Sequence, residues 1–344
     1  MGKKKSSLTH ICVICIMMAV GICYGKQGER KGDLIRNMKT DNYKFSAAVR
    51  NNDLLRDSFN KLTKTTFGFD FADWYEAGGW GELYVPYVMM DGNQVVSNVS
   101  VNRIRFDLGG VKKDYIQIGT VMTDEKYRGQ GLNGKLIEHI LKEFEGTVDG
   151  IYLFGNDSVL NYYPKFGFRA SKEYEYYMVF DGTSGSSIES LEPYEIQKLD
   201  MAQNGKKEAL YREIRNYFID PENKNQNDGM YMSENLGLYQ FWMAAGFGDC
   251  IYYMPETGTY VAANVEGQVL RVEQVFGKRR VEIPRLARSF GKGISQAVLG
   301  YTPVHKELFQ VREHKEEDST LFIMGEDLQR IEENQMMFPV LSHA

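Results

Sequence analysis

A glycine-rich turn is the clearest chemical signal in the sequence. It follows an apolar, strand-like run and precedes apolar residues at helical spacing, Leu136, Ile137, Ile140, Leu141 and Phe144. Backbone N–H groups without side chains in the way, placed at the start of a helix, bind phosphate because the helix dipole favours an anion there. We therefore predict that phosphate binds at the seven residues of the turn, Arg128, Gly129, Gln130, Gly131, Leu132, Asn133 and Gly134.

Two other nucleotide-binding motifs fit part of this turn. Gly129 to Gly134 matches G-x-G-x-x-G, and Asp157 follows at about the 20-residue distance expected for a ribose-binding acid. An NAD(P)-dependent oxidoreductase is thus an alternative function. Gly129 to Lys135 also matches most of a P-loop, but Leu136 stands where Ser or Thr would bind magnesium. That position argues against a nucleotide hydrolase.

A longer stretch around the turn resembles the acetyl-CoA motif of the GNAT acetyltransferase superfamily. The stretch is Val121 to Gly131, and the family's pyrophosphate loop reads R/Q-x-x-G-x-G/A. Asn133 departs from that pattern, since it stands where the family has Gly or Ala. Downstream, Asn156 and the run Tyr163 to Phe168 resemble the family's N-x(6)-Y-x(3)-G-F signature with its spacing intact. The resemblance extends over about Met38 to Phe180.

The resemblance implies an N-acetyltransferase that transfers acetyl from the cosubstrate acetyl-CoA directly to an amine in a ternary complex. The turn would hold the pyrophosphate, and the strand edge Val121, Met122 and Thr123 would hold the pantetheine and the thioester. Asn156 would hydrogen-bond the pantetheine arm, and Tyr163 would be the general acid that protonates the leaving thiolate. A non-catalytic acyl-CoA-binding module is a further alternative, because binding needs only the turn.

The sequence does not show which group is the general base. The strand before the turn has no carboxylate between Asp114 and Asp124. A water relay is one possibility, and the free carboxylate of Ala344 is another, because the layout resembles tandem family members whose chain end reaches the active site. We interpret the aromatic stretch Phe67 to Trp80 as core and leave it out of the site.

No metal site is predicted. The histidines lie at positions without metal-ligand spacing, namely His10, His139, His305, His314 and His343.

The elements before the turn predict the antiparallel start of a mixed sheet. Asn52 to Thr65 has helical spacing, and Tyr84 to Met90 and Val95 to Phe106 form a hairpin around an Asp-Gly-Asn turn. Tyr115 to Met122 is the strand that leads into the glycine turn.

After the turn and its helix, Gly150 to Phe154 is a short strand, Val159 to Pro164 suits a short helix, and Tyr174 to Phe180 is interpreted as a closing strand. The predicted fold class is α/β, a mixed α+β sheet flanked by helices.

The second half of the chain is predicted to repeat this order in degenerate form. Helices are predicted at Lys206 to Phe218, Ser233 to Ala245 and Ile283 to Phe290, and a strand at Gln296 to Tyr301. Thr259 to Val265 echoes Gln94 to Val99, but the later half lacks a second glycine turn. We predict an N-terminal apolar segment (1–37), a GNAT domain (38–181), a linker (182–188) and a degenerate GNAT-like domain (189–344).

Charge and cysteine content limit the partners and the compartment. The net charge is −5, and the one Lys run is Lys3 to Lys5, so nucleic acid is excluded as a partner. Cys250 is the only cysteine after the N-terminal apolar stretch, which favours a cytoplasmic protein. Residues 8–23 are apolar and anchor-like, and the alternative is that translation starts at Met38. Membrane contact is expected only if residues 8–23 are translated. The identity of the amine acceptor is left open.

Overall fold

The structure is a computed structural model that describes residues 42–180, 188–219 and 225–344. The apolar segment 8–23, the alternative start Met38 and linker residues 182–187 lie outside the described residues, so the hypotheses about them stay predictions. Within the described ranges, no helix has the length and apolarity needed to cross a membrane.

The described residues form two mixed β-sheets with helices packed on them, which confirms the predicted α/β class. The strands are β1 Lys44–Ser46, β2 Tyr84–Asp91, β3 Gln94–Leu108, β4 Val111–Thr123, β5 Gly150–Gly155, β6 Arg169–Ser171, β7 Glu173–Val179, β8 Gln197–Lys198, β9 Tyr231–Met232, β10 Ile251–Met254, β11 Thr259–Glu266, β12 Val269–Phe276, β13 Gln296–Leu299, β14 Gln310–His314 and β15 Thr320–Met324. The helices are α1 Asp53–Phe67, α2 Ala72–Glu76, α3 Leu132–Phe144, α4 Asn204–Ile219, α5 Leu236–Trp242, α6 Ile283–Phe290 and α7 Arg330–Glu333.

Each sheet combines antiparallel strands with one parallel pair. The first sheet has the order β1-β2-β3-β4-β5-β15-β6, with β9 added beside β3, and its parallel pair is β4 with β5. The second has the order β14-β7-β13-β12-β11-β10-β8, and its parallel pair is β12 with β13. The order β10-β11-β12-α6-β13 repeats the order β2-β3-β4-α3-β5 of the first half.

The two halves exchange strands. The strand predicted at Tyr174 to Phe180 forms as β7, but it does not close the first sheet: it pairs with β13 and β14 in the second. Its place between β5 and β6 is taken by β15 from the far end of the chain. The prediction was wrong about the partner because alternation of apolar and polar residues specifies a strand, whereas either sheet edge can accept it.

The exchanged strands cross the predicted boundary between the two domains. Neither sheet is complete within residues 38–181 or 189–344 alone, because each contains a strand from the other half. The exchange also carries the C-terminal residues back to the first sheet, next to the glycine turn.

Helices α1 and α3 are positioned by ordinary capping and by one apolar face each. Asn52 accepts the Leu55 N–H at 3.2 Å at the start of α1, and Gly68 ends the helix with φ +83°. Helix α3 buries Leu136, Ile137, Ile140 and Phe144 against the first sheet. Burial of these apolar faces fixes the start of α3, and with it the glycine turn, against the sheet.

Candidate active site

The glycine turn has the backbone geometry that the sequence predicts. Strand β4 ends at Thr123, a short 3₁₀ turn covers Glu125–Tyr127, and α3 begins at Leu132. Gly129 and Gly131 have φ angles of +75° and +74°, which glycine adopts without strain. The first turn of α3 has no acidic residue. Its N–H groups lack intrahelical partners and are available to an anion.

Side chains outside the turn hold it in place. The Tyr127 hydroxyl donates to Asp91 Oδ2 at 2.8 Å, and the Tyr43 hydroxyl donates to Gln130 Oε1 at 2.8 Å. Asp124 Oδ1 accepts the Lys126 N–H at 3.0 Å. A turn restrained in this way loses little conformational entropy when it binds phosphate.

Asn133, which departs from the family pattern, ties the start of α3 to the sheet. Its Oδ1 accepts a hydrogen bond from Ser97 Oγ, and that hydroxyl lies 3.1 Å from Thr123 Oγ1. The amide side chain therefore anchors the helix start to β3 and to the end of β4.

A β-bulge in β4 opens the sheet beside the turn. Asn98 pairs with Met122 and Ser100 pairs with Gly119, so two residues of β4, Thr120 and Val121, lie opposite one residue of β3. The β4–β5 pairing covers Tyr115–Ile118. From Gly119 onward the two strands separate, and main-chain groups of β4 face a cavity.

A buried polar network holds the bulge. Asn98 Nδ2 donates to the Thr120 carbonyl at 2.6 Å and to Ser100 Oγ at 3.0 Å. The Tyr84 hydroxyl lies 2.9 Å from Ser100 Oγ and 3.2 Å from Thr120 Oγ1. These contacts stabilise Thr120 in its left-handed conformation, φ +50°.

One cavity of about 1130 Å³ joins most of the predicted site residues. Ten of them line it, namely Val121, Met122, Thr123, Arg128, Gly129, Gly131, Leu132, Asn133, Asn156 and Tyr163. Gln130 and Gly134 lie outside the lining: Gln130 faces Tyr43, and Gly134 faces the Phe166 ring. Residues distant in sequence are thus brought to a single site.

Asn156 lines this cavity and carries an amide donor without a partner. Its Oδ1 accepts from Ser158 N at 3.1 Å and from Ser158 Oγ at 2.6 Å. Its Nδ2 is buried and has no hydrogen-bond partner. A buried amide donor without a partner costs free energy, so this group fits a ligand carbonyl.

Tyr163 lies at the cavity with its ring firmly packed. The side chain is 5% exposed, and its ring centroid lies 6.0 Å from that of Phe168 and 5.4 Å from that of Phe322 on β15. Burial raises the pKa of the Tyr163 hydroxyl well above its ordinary value. The phenol is therefore protonated at neutral pH, as a proton donor must be.

The C-terminal residues, among them Ala344, which the sequence resemblance offers as one candidate for the base, form another wall of the cavity. Trp242 Nε1 donates to the His343 carbonyl at 2.7 Å, and the Phe154 ring stacks on the His343 ring at 4.1 Å. A Cβ on Gly119 would lie 2.7 Å from the Ala344 carbonyl oxygen, so glycine is required for this close approach. Burial lowers the pKa of His343 to about 3.

Aromatic residues from the end of α1 to the start of β2 also line the cavity, a role that was not predicted from the sequence. Phe67, Phe69, Phe71, Trp74 and Tyr84 are among the lining residues. The interpretation of this stretch as core holds for Phe71, Trp74 and Tyr84 to the extent that all three side chains are buried, although they also line the cavity. The available signal was the density of aromatic residues directly after the glycine that ends α1.

The NAD(P)-binding alternative lacks its ribose-binding acid in this structure. Asp157 is not among the residues that line the cavity, and its N–H donates to Asp318 Oδ1 at 2.8 Å. Antiparallel strands β2, β3 and β4 precede the turn, whereas a doubly wound dinucleotide fold has parallel strands there. Within the described ranges, no cluster of three or more His, Cys, Asp or Glu side chains could hold a metal ion.

Comparisons with known proteins find a related domain in this chain. Residues 48–171 match the family model described as Acetyltransferase (GNAT) domain. No curated protein matches the chain.

Among solved structures, a conserved protein of unknown function from Enterococcus faecalis, titled a probable N-acyltransferase, shares 15% identity at a TM-score of 0.52, covering 84% of this chain and 73% of that one. A GCN5-related N-acetyltransferase from Kribbella flavida shares 13% at a TM-score of 0.50, covering 83% and 71%. A GCN5-related N-acetyltransferase from Anabaena variabilis shares 14% identity at a TM-score of 0.50, covering 82% of this chain and 72% of that one. These likenesses show the fold.

Proposed function

We propose that this chain, whose residues 48–171 form a GNAT acetyltransferase domain, transfers an acetyl group from acetyl-CoA directly to an amine. The observation that carries the proposal is the single cavity that joins the glycine turn, the unpaired Asn156 Nδ2 and Tyr163. Acetyl-CoA, when bound, supplies the acetyl thioester.

The chain's own groups suit the two ends of that cosubstrate. The N–H groups at the start of α3 bind the pyrophosphate, where the helix dipole favours negative charge. Asn156 Nδ2 donates to the pantetheine arm, and the opened edge of β4 at Val121 to Thr123 holds the thioester.

Tyr163 is the proposed general acid. The amine nitrogen forms a bond to the carbonyl carbon and gives up a proton to the general base, the carbon–sulfur bond breaks, and the Tyr163 hydroxyl gives its proton to the sulfur. The tyrosine then regains a proton from solvent. Its buried ring is held between Phe168 and Phe322, which fixes the position of the hydroxyl.

The carboxylate of Ala344 is the proposed general base. It belongs to the cavity lining and lies against Gly119 in the opened part of β4. His343 also lines the cavity, but with a pKa of about 3 its neutral ring is too weak a base for an ammonium group.

The function is tested by binding and thiol release. Titration with acetyl-CoA and with NAD in parallel should give binding for acetyl-CoA alone, and added amines should then release free coenzyme A thiol. Binding of NAD alone would favour the oxidoreductase. Binding of acetyl-CoA without thiol release across a broad amine screen would favour the non-catalytic module.

Replacing Asn156 with Asp isolates the role of its Nδ2. Asp keeps the oxygen that accepts from Ser158 but replaces the N–H donor with a negatively charged acceptor. We expect the KM for acetyl-CoA to rise at least about tenfold, as the loss of one buried hydrogen bond implies, and a thermal melt verifies that the variant, which buries a carboxylate, still folds. Steady-state kinetics measure this, and an unchanged KM would remove Asn156 from the coenzyme site.

Extending the sequence by one glycine after Ala344 tests the base. The extension turns the Ala344 carboxylate into an amide, which accepts no proton, and leaves every side chain in place. We expect kcat at pH 7 to fall about tenfold to 100-fold, the lower part of the range for a general base. The matched control is Ala344→Gly, which keeps the carboxylate. Equal kcat in the extended and original proteins would assign the base elsewhere, for example to a water relay.

A further inference from the structure

Part of the cavity lining is built from aromatic rings. We call this set the acceptor wall: Phe67, Phe69, Phe71, Trp74, Tyr84 and Phe241, from α1, the segment after it, α2, β2 and α5. The rings contact one another, with centroid distances of 5.3 Å for Phe69 and Phe71, 5.7 Å for Phe71 and Phe241, and 5.3 Å for Trp74 and Tyr84. They form one packed aromatic cluster, in which Phe67, Phe69 and Phe241 are the partly exposed members.

The polar atoms on these rings are already paired. Trp74 Nε1 donates to the Gly237 carbonyl at 2.8 Å, and the Tyr84 hydroxyl bonds to Ser100 and Thr120. The neighbouring Trp242 donates to the His343 carbonyl. A ligand at the acceptor wall therefore contacts aromatic carbon atoms, and its binding free energy comes more from burial against the rings than from new hydrogen bonds.

The charged side chains in the cavity lining lie next to the glycine turn or to Asn156, where the coenzyme is proposed to bind. Asp124, Glu125, Lys126 and Arg128 belong to the segment that leads into the glycine turn, and Asp318 accepts from the Asp157 N–H beside Asn156. The acceptor wall itself carries no carboxylate. The Ala344 carboxylate, which also lines the cavity, lies against Gly119, next to Thr120, whose hydroxyl bonds to Tyr84 of the wall.

We propose that the acceptor is a primary monoamine on an aromatic carbon body, an arylalkylamine, with its ring on the acceptor wall and its nitrogen at the Ala344 carboxylate. This inference rests on the proposed function and names its substrate class. One carboxylate matches one ammonium group. Each further ammonium group of a polycationic amine would be desolvated against aromatic carbon without an anionic partner, which is costly.

The test compares three amines after acetyl-CoA binding has been verified by calorimetry. We expect 2-phenylethylamine to be acetylated with a kcat/KM about 100-fold above that of spermidine or kanamycin, because unpaired buried charges disfavour the two polycations. Titration of the wild-type protein with 2-phenylethylamine should also change the fluorescence of Trp74 and Trp242, which both line the cavity.

Two variants connect this preference to the acceptor wall. Phe69 and Phe241 are partly exposed, so Phe69→Ala and Phe241→Ala remove ring surface with less risk to folding. Each should raise the KM for 2-phenylethylamine about tenfold, which corresponds to losing most of one aromatic contact, and leave the KM for acetyl-CoA within about twofold. Phe45→Ala is the matched control, since Phe45 is 44% exposed and lies outside the cavity lining.

The outcomes separate this inference from the proposed function. If acetyl-CoA binds but spermidine or kanamycin is acetylated as well as 2-phenylethylamine or better, the substrate class is overturned and the acetyltransferase stands. The substrate class is also overturned if acetyl-CoA binds and 2-phenylethylamine neither reacts nor changes the fluorescence. If acetyl-CoA does not bind, both proposals fail.

Discussion

Gly131→Glu is expected to abolish measurable binding of acetyl-CoA. Gly131 precedes the first residue of α3 with φ +74°, a conformation that costs a residue with a Cβ about 1–2 kcal/mol. The Glu side chain adds a negative charge where the N–H groups of α3 are proposed to hold pyrophosphate, so like charges repel in the place of a favourable helix-dipole interaction. The combined effect is expected to weaken affinity by at least about 100-fold, as calorimetric titration would measure.

Gly146→Glu is the matched control for this variant. Gly146 follows α3 with a similar φ of +68°, has open space around it and lies outside the cavity lining. The same glycine-to-glutamate change there introduces the same backbone strain and the same charge, and acetyl-CoA should bind with unchanged affinity. Equal losses in the two variants would mean that the effect comes from strain, and the phosphate role of the turn would be wrong.

Tyr163→Phe is expected to lower kcat by about 10²-fold or more, within the range for a general acid, while the KM for acetyl-CoA changes little. The phenylalanine ring keeps the packing against Phe168 and Phe322, so the variant removes only the hydroxyl. Stopped-flow or steady-state thiol release provides kcat, and a thermal melt verifies folding. Tyr87→Phe is the control, because the Tyr87 hydroxyl donates to Glu143 and lies outside the cavity lining.

The pH dependence of the wild type gives a second readout for Tyr163. Burial raises the pKa of its hydroxyl, so the protonated, active form persists to higher pH than for an exposed tyrosine with a pKa of about 10. No loss of kcat from this group is expected as the pH rises from 7 to about 10. Loss of acetyl-CoA affinity in Tyr163→Phe with kcat retained would show that the hydroxyl binds the cosubstrate and is not the acid.

The strand exchange explains how the site is completed. Phe322 on β15 packs against Tyr163, and the residues after β15 lead to His343 and Ala344 at the cavity. Because β15 lies between β5 and β6 of the first sheet, the second half of the chain supplies part of the wall around the proposed acid and the proposed base. The later half thus has a direct role in the site, even though it lacks a glycine turn of its own.

The local parts of the candidate site could be predicted from the sequence. Gly129 and Gly131 act through their own backbone angles and the helix that follows, and the spacing of Asn156 and Tyr163 is a property of one short segment. Helix α6 was predicted at its observed bounds, Ile283–Phe290, because its apolar spacing and its proline near the first turn are contained in those residues. Such features need only neighbouring residues.

What these local features face depends on how the whole chain folds. The aromatic stretch after α1 has the composition of a core, and its place on a cavity depends on α5, which follows it much later in the chain. The exchange of β7 and β15, and with it the arrival of Ala344 at Gly119, depends on which sheet edge each strand pairs with. Hydrophobic periodicity determines which face of a helix or strand is buried. The strand or helix that covers this face is determined by the burial and hydrogen bonding of the whole chain, so it cannot be deduced from one segment.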